Sequence, residues 1–484
     1  MMKKLIVFAM LAAFLAFPLT AFGTMGQMSP ASNDINVKFF GSMKTYPSWN
    51  SDLNFGGNSG LDWMIDENGV LADHNVRNEL RMGWKGGNDS FDFMIILEAD
   101  FNLDKNNTDR GFNQKGATYD LVDDQGMSGE DFGVEKLDIG YNFGPFRIHA
   151  GWTSRWLDMM TGGLIYGDDH PYVGLTGNIG ENFSWQADYF IVYDATTEKT
   201  NISPFNGDNL DWRFYSVKGK YKIPSGFAKG FVISPFYAFS DNSKEATNNA
   251  QVNYVGLEGY GKLGMFTPRF EIAYADGDTD DNAAGQDYDI SAMAAFASVD
   301  VEICPSFIPY LGIKWEEGDS DPTDDDIEAF NAITDIARYT PTFGMENAII
   351  YRAVPALKTG LYSGNFNETG TQKGYGGIGN KSKGDAPGML MWGLGFKGKY
   401  DKWSYKVQYM DFRFDEEPIG LDGTRTDDEV GQEFDLRVAY AFSKHFTMAN
   451  CFAAFDPGDA IEDLWGDEYD DTALVNTIEL IWSW

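Results

Sequence analysis

The stretch TALVNTIELIWSW, residues 472–484, decides the fold. Leu474, Ile478, Leu480, Trp482 and Trp484 fall on one face of an extended chain, and Thr477, Glu479 and Ser483 fall on the other. Period two is the signature of a strand with two unlike faces. A strand this apolar suits a barrel wall in lipid, where every backbone group must be paired and no edge can stay open.

The same alternation recurs upstream. Phe183, Trp185, Ala187 and Tyr189 alternate with Ser184, Gln186 and Asp188, and Trp403, Tyr405, Val407 and Tyr409 alternate with Ser404, Lys406 and Gln408. Phe434, Leu436, Val438, Tyr440 and Phe442 alternate with Asp435, Arg437 and Ser443. The pattern predicts about eighteen antiparallel strands, with sixteen as the alternative, of the length that crosses a bilayer when tilted. The connections are expected to sort into short turns such as Gly144–Pro145 and Asp401–Lys402, and long loops such as 103–132, 156–170 and 317–386. Short periplasmic turns opposite long external loops mark transmembrane barrels.

At the other end Lys3 and Lys4 precede an apolar run from Leu5 to Phe17, followed by small residues to Gly23. This reads as a signal peptide over 1–23, with one barrel domain over 24–484. The apolar run is too short for a membrane helix.

Composition agrees. Aromatic residues make up 15% of the 484 residues, with 54 glycines and 17 prolines. The mean hydropathy of −0.34 looks soluble, as a wall with one wetted face should. A net charge of −36 argues against nucleic acid as a partner. The acidic residues gather in the long loops, for example Asp319, Asp321 and Asp324–Asp326, whereas the strands carry both signs. Taking the face opposite the aromatics as lumenal gives a pore lining of Arg77, Arg81, Arg147, Asp188, Lys218, Lys220, Arg269, Glu271, Lys314, Lys406 and Arg437. Eighteen strands enclose an aqueous channel, and wall charges act there at close range.

The loop 317–386 carries Ile327, Phe330, Ile333 and Ile336 at helical spacing behind Asp324 and Asp325, which predicts a short helix near 325–338. This loop and 156–169, with Met159, Met160, Gly162 and Gly163, are the candidates to fold into the mouth. The acidic loops offer oxygen ligands of the kind calcium takes, but Asp319, Asp321 and Asp324 lack the rest of a calcium loop, so no metal or other cofactor is expected.

Only four histidines occur, His74, His149, His170 and His445, and none has a serine partner in register. A nucleophile needs its base within hydrogen-bond reach, so the chain is not expected to be an enzyme. Cys304 and Cys451 leave a disulfide and two separate thiols equally open.

The signal peptide, the aromatic last strand and the loop rhythm together resemble Gram-negative outer-membrane porins. A shorter stretch, Gly318-Asp319-Ser320-Asp321-Pro322 with Glu328-Ala329-Phe330-Asn331 and Gly344, is similar to the alginate-export-type family of eighteen-stranded barrels. The first resemblance implies an outer-membrane location and passive diffusion of small hydrophilic solutes through a water-filled pore. The second implies a channel selective for anionic saccharides or other anions, including export. The partners implied are outer-membrane lipid and lipopolysaccharide, the barrel-assembly machinery reading the C-terminal strand, and the solutes. Resemblance to the major porins of sulfate-reducing and related bacteria implies a homotrimer.

Overall fold

The computed structural model describes residues 35–52, 74–102, 132–167, 169–194, 211–245, 248–281, 286–321, 324–334, 340–345, 348–349, 387–418, 425–467 and 469–484. The signal segment 1–23 lies outside them, as do residues 335–338 of the expected helix and 350–386 of the long loop.

Alternating sequences become strands throughout. In order they are β1 (Asn36–Ser51), β2 (His74–Gly87), β3 (Phe91–Asn102), β4 (Phe132–Phe143), β5 (Phe146–Thr153), β6 (His170–Ile179), β7 (Phe183–Asp194), β8 (Asp211–Lys222) and β9 (Val232–Glu245). Then come β10 (Asn248–Tyr260), β11 (Phe266–Asp281), β12 (Gln286–Val301), β13 (Ile308–Glu316), the two-residue β14 (Asp326–Ile327), β15 (Met389–Tyr400), β16 (Trp403–Arg413), β17 (Glu429–Ser443), β18 (Phe446–Pro457) and β19 (Ala473–Ser483). A helix, α1 (Asp459–Trp465), sits between the last two strands.

With β14 set aside, eighteen strands each pair antiparallel with their neighbours in the chain, and β1 pairs with both β2 and β19. The sheet therefore closes and leaves no unpaired edge, as lipid demands. Closure is sealed by Gly41 and Trp484, which exchange backbone hydrogen bonds of 3.1 and 3.0 Å. One end of the barrel carries the tight turns. Gly144 (φ +67°) and Gly180 (φ +66°) adopt the left-handed backbone there, which costs little without a Cβ. At the opposite end the outer connections are mostly long. Two are not: β9 and β10 are separated by 246–247 alone, and β11 and β12 by 282–285, because these strands run on as extended ribbons.

The outer face is apolar. Ile139, Ile148, Val173, Leu257, Ile272, Leu311, Ile313, Leu394 and Phe434 are all exposed there. A contiguous apolar surface of this size is what lipid covers. No helix among the described residues is long and apolar enough to cross a membrane.

The interior is partly filled. Leu157, Leu164, Ile165 and Tyr166 of the β5–β6 loop pack against Phe190, Phe214, Tyr254 and Phe296 of the inner wall. Tyr166 lies 4.6 Å from Phe214 and 5.1 Å from Phe190, ring centre to ring centre. The connection after β13 follows the wall beside it: Ile327, Phe330, Ile333, Phe343 and Met345 are buried in the same core.

The helix expected near 325–338 is absent from its described part. Asp326 and Ile327 instead form β14, parallel to Asp289 and Ile290 of β12, and the chain continues in extended and irregular form to Thr334. Its backbone is satisfied from outside: Phe330 N–H donates to Glu317 O at 2.8 Å and Thr334 N–H to Ile165 O at 3.1 Å. Ala329, Phe330, Asn331, Ala332 and Ile333 are all almost wholly buried, so the segment has no polar face and its apolar spacing carries no helical information.

Candidate functional site

Beneath the two inward connections, near the tight-turn end, the barrel holds two cavities with basic walls. The first, of about 510 Å³, is lined by Arg147 of β5, Lys218 and Lys220 of β8, and Arg155 of the β5–β6 loop, together with Asn142, Thr176, Asn178, Ser184 and Gln186. Among the described residues no carboxylate lines it. The second, of about 740 Å³, is lined by Lys44, Lys397, Lys399, Lys406 and Arg437 against Glu302 and Glu479.

Strand register positions these groups. Gln186 of β7 sits opposite Lys218 and Ser184 opposite Lys220, so all four point to one side of the wall. Arg147 lies opposite Thr176 of β6 on that side. Its guanidinium is anchored by Asp92 at 2.6 Å and Asp138 at 2.9 Å. Charge-assisted bonds of this kind fix a guanidinium's orientation. Across the barrel, Lys406 stands opposite both Lys397 and Arg437.

Arg155 reaches the first cavity by an unusual route. It and Trp156 both have positive φ, 54° and 53°, an uncommon backbone state for residues with a Cβ. The turn brings the guanidinium over the Tyr172 ring at 5.2 Å, to Asp188 Oδ1 at 3.3 Å and to His149 Nε2 at 3.0 Å. A planar guanidinium stacked on an aromatic keeps its remaining N–H groups for another partner.

The residues expected from sequence to line the pore divide into three groups. Arg147, Lys220, Lys406 and Arg437 border the two cavities, and Lys218 stands at the wall of the first with its ammonium buried against Glu258. Arg77, Arg81, Asp188 and Arg269 stand on the inner wall in close contacts. Arg77 lies 5.9 Å from the centre of the Tyr46 ring, and Arg81 meets Glu98 at 2.8 Å, Glu79 at 3.0 Å and Glu135 at 3.1 Å. Asp188 holds Arg155, and Arg269 meets Asp300 at 3.2 Å. Glu271 and Lys314 are different. Both face inward but are buried under the inward connections, Glu271 at 0% and Lys314 at 1% exposure, so neither borders open water. The expectation fails there because loop residues, absent from any strand-parity argument, cover them. Lys406, at the edge of the second cavity, also donates to the Gly344 carbonyl at 2.8 Å.

Arg155, Lys44, Lys397 and Lys399 are absent from the expected lining. Lys397 had a readable signal, since it shares parity with the inward Met389 and Met391 of β15. Arg155 had none, because its position depends on a loop turn.

No group of three or more candidate metal ligands occurs among the described residues. Both cysteines are free thiols: Cys451 is buried, with Sγ 3.1 Å from Glu479 Oε1, and Cys304 lies in the β12–β13 turn.

No protein-family model matches the chain. No curated protein matches it either. Solved structures do. OccK2 (OpdF) of Pseudomonas aeruginosa, in complex with glucuronate, aligns over 93% of this chain and 98% of its own at 11% identity, with a TM-score of 0.52. OpdK of the same organism, with vanillate, aligns over 93% and 99% at 12% identity and a TM-score of 0.50. OccK8 (OprE), also from Pseudomonas aeruginosa, aligns over 93% and 98% at 12% identity and 0.51. At these identities the likeness is one of fold: the chain shares the closed eighteen-stranded architecture of outer-membrane porins.

Proposed function

We propose that this chain is a porin of a Gram-negative outer membrane, passing small hydrophilic solutes by diffusion down their gradients. The observation that carries the reading is the two-faced wall: a closed sheet, apolar outside, with its charged side chains and two cavities bordered by basic groups inside. Eighteen strands give a lumen wide enough for water. In this reading the segment 1–23 is a cleaved signal peptide, the last strand engages the assembly machinery, and the barrel stands in lipid and lipopolysaccharide as a homotrimer. Liposome swelling with sugars of graded size tests the diffusion step. A graded size cut-off supports it, and a purified, folded barrel that admits no solute refutes it.

A selective version, for anionic saccharides or other small anions, is favoured by one specific feature. Among the described residues the first cavity has three cations open to it, Arg147, Arg155 and Lys220, and no carboxylate, and the second has five cations to two carboxylates. Cations at close range replace part of an anion's hydration, whereas solvent-exposed loop charges are screened by salt. The fold relatives solved with glucuronate and vanillate hold carboxylate-bearing molecules, which suits the same chemistry. Reversal potentials in a salt gradient separate the versions: anion preference supports the selective one, and cation preference removes it.

A further inference from the structure

The β5–β6 loop is fastened to the wall through carboxyl groups whose hydrogen bonds do not balance without an added proton. Thr161 Oγ1 lies 2.7 Å from Glu271 Oε2, 3.0 Å from Glu258 Oε2 and 3.1 Å from the Asp158 carbonyl oxygen. A hydroxyl has one proton to give, so it cannot donate to both glutamates. The Asp158 and Glu271 carboxyl groups are also hydrogen-bonded to each other. Two carboxyls bond only when one of them is protonated. The facing charges are Lys218 of β8, which pairs with Glu258 and the Leu157 carbonyl, and Lys220 two residues further on. Three carboxyls and one directly bonded ammonium are thus shut away together, with Asp158, Glu258, Glu271 and Lys218 all at 0% exposure. Enclosed like charges with too few counter-charges hold on to protons. Burial pushes the Asp158 carboxyl up to about 6.

These groups also shape the loop. Asp158 accepts from Ile165 N–H at 2.5 Å and Tyr166 N–H at 3.2 Å, and Glu271 accepts from Gly162 N–H at 2.9 Å. We propose that Asp158, Glu258, Glu271 and Lys218 form a proton-controlled latch. The shared proton seats the loop inside the barrel, and its loss lets the loop leave the wall and widens the passage.

The sign follows from linkage. The seated state binds the extra proton and a freed, hydrated carboxyl above about pH 4 does not, so seating is firmest in acid and weakens as pH rises, by up to about tenfold per pH unit for one proton, until the seated site itself gives up the proton. The other titratable groups against this loop are Asp169, which accepts from Ser154 N–H, Asp188 and His149, which hold Arg155, and His170, whose Nδ1 meets Tyr166 Oη at 2.8 Å. A proton on His149 would act in the opposite direction, by putting two cations side by side at Arg155.

The test is amide hydrogen exchange of residues 156–167 in detergent micelles between about pH 5 and pH 8, corrected for intrinsic rates, alongside single-channel conductance. The expected result is protection that falls and conductance that rises with pH in the native chain. In Glu271→Gln, whose amide stands in for the protonated acid, both stay at their low-pH values. In His149→Gln the pH dependence persists. The latch is overturned if the native exchange is flat or rises in protection with pH, if Glu271→Gln keeps the native response, or if His149→Gln loses it. The conductance arm rests on the channel reading and the exchange arm does not. A barrel that conducts nothing yet shows pH-dependent exchange counts against the channel and leaves the latch standing.

Discussion

Trp484 lies against Gly41 across the seam of the barrel, its indole where a side chain at Gly41 would stand. A Cβ built there would meet ring atoms at 2.5 and 2.6 Å and the Arg81 carbonyl oxygen at 2.8 Å. The ring can swing away toward lipid, but the carbonyl is backbone and cannot. Gly41→Val is therefore expected to strain the β1–β2 and β1–β19 pairings together, costing about 1–3 kcal/mol as overpacked sites do. Heat-dependent gel mobility of the folded barrel checks it. A melting point equal to the native one would show that the seam tolerates the bulk.

Charge reversal in the first cavity should be felt by permeating ions. A unit charge about 8 Å from an ion, at an effective dielectric of about 20, interacts by about 2 kcal/mol. Lys220→Glu is expected to reduce the anion-to-cation permeability ratio several-fold. The same change at Lys399, in the second cavity, tests whether both cavities lie on the conduction path. A reversal potential that moves for one and not the other assigns the path.

Gly162 packs where nothing larger fits. A Cβ there would stand 2.6 Å from the Phe296 Cβ and 3.2 Å from Glu271 Oε2. Gly162→Val is expected to lift the β5–β6 loop from the wall and raise conductance at acidic as well as neutral pH. The strand β-signature in circular dichroism should be unchanged, because the loop belongs to no strand pairing of the barrel wall.

The two thiols should differ sharply. Cys304 Sγ lies 3.3 Å from the Ser306 hydroxyl, which draws the thiol below its ordinary value. Thiolate is the reactive form, so its labelling should begin at lower pH than that of an unperturbed cysteine. Maleimide modification in micelles is expected to give one adduct, abolished by Cys304→Ser and delayed to higher pH by Ser306→Ala. Cys451, at 1% exposure, should react only after unfolding.

Which parts of this architecture could be read in advance follows from what each part has to satisfy. A stave between lipid and lumen answers to two solvents, and that requirement writes itself into alternate positions. Tyr405 and Val407 face out while Lys406 and Gln408 face in, and the register carries the assignment from strand to strand. The inward connections answer to neither solvent. Phe330 and Ile333 are enclosed on all sides, so their spacing reports volume to be filled and says nothing of backbone shape. The site suffered accordingly. Lys218, Lys406 and Arg437 were visible by parity alone. The burial of Glu271 and Lys314, and the arrival of Arg155, depend on loop residues brought from far along the chain, such as Thr161, which meets Glu271 across 110 positions.

The four strands from β9 to β12 run longer than a bilayer needs, β11 and β12 reaching 16 residues each. At about 3.3 Å per residue and a tilt near 40°, 16 residues rise roughly 40 Å, against a hydrocarbon layer of about 25–30 Å. The surplus prolongs the ribbon as a fin, paired from Thr279↔Tyr288 to Asp281↔Gln286. A fluorophore or affinity peptide spliced at 282–285 would ride on that fin, away from both the seam and the cavities, so a single cell's barrels could be counted without altering what passes through them.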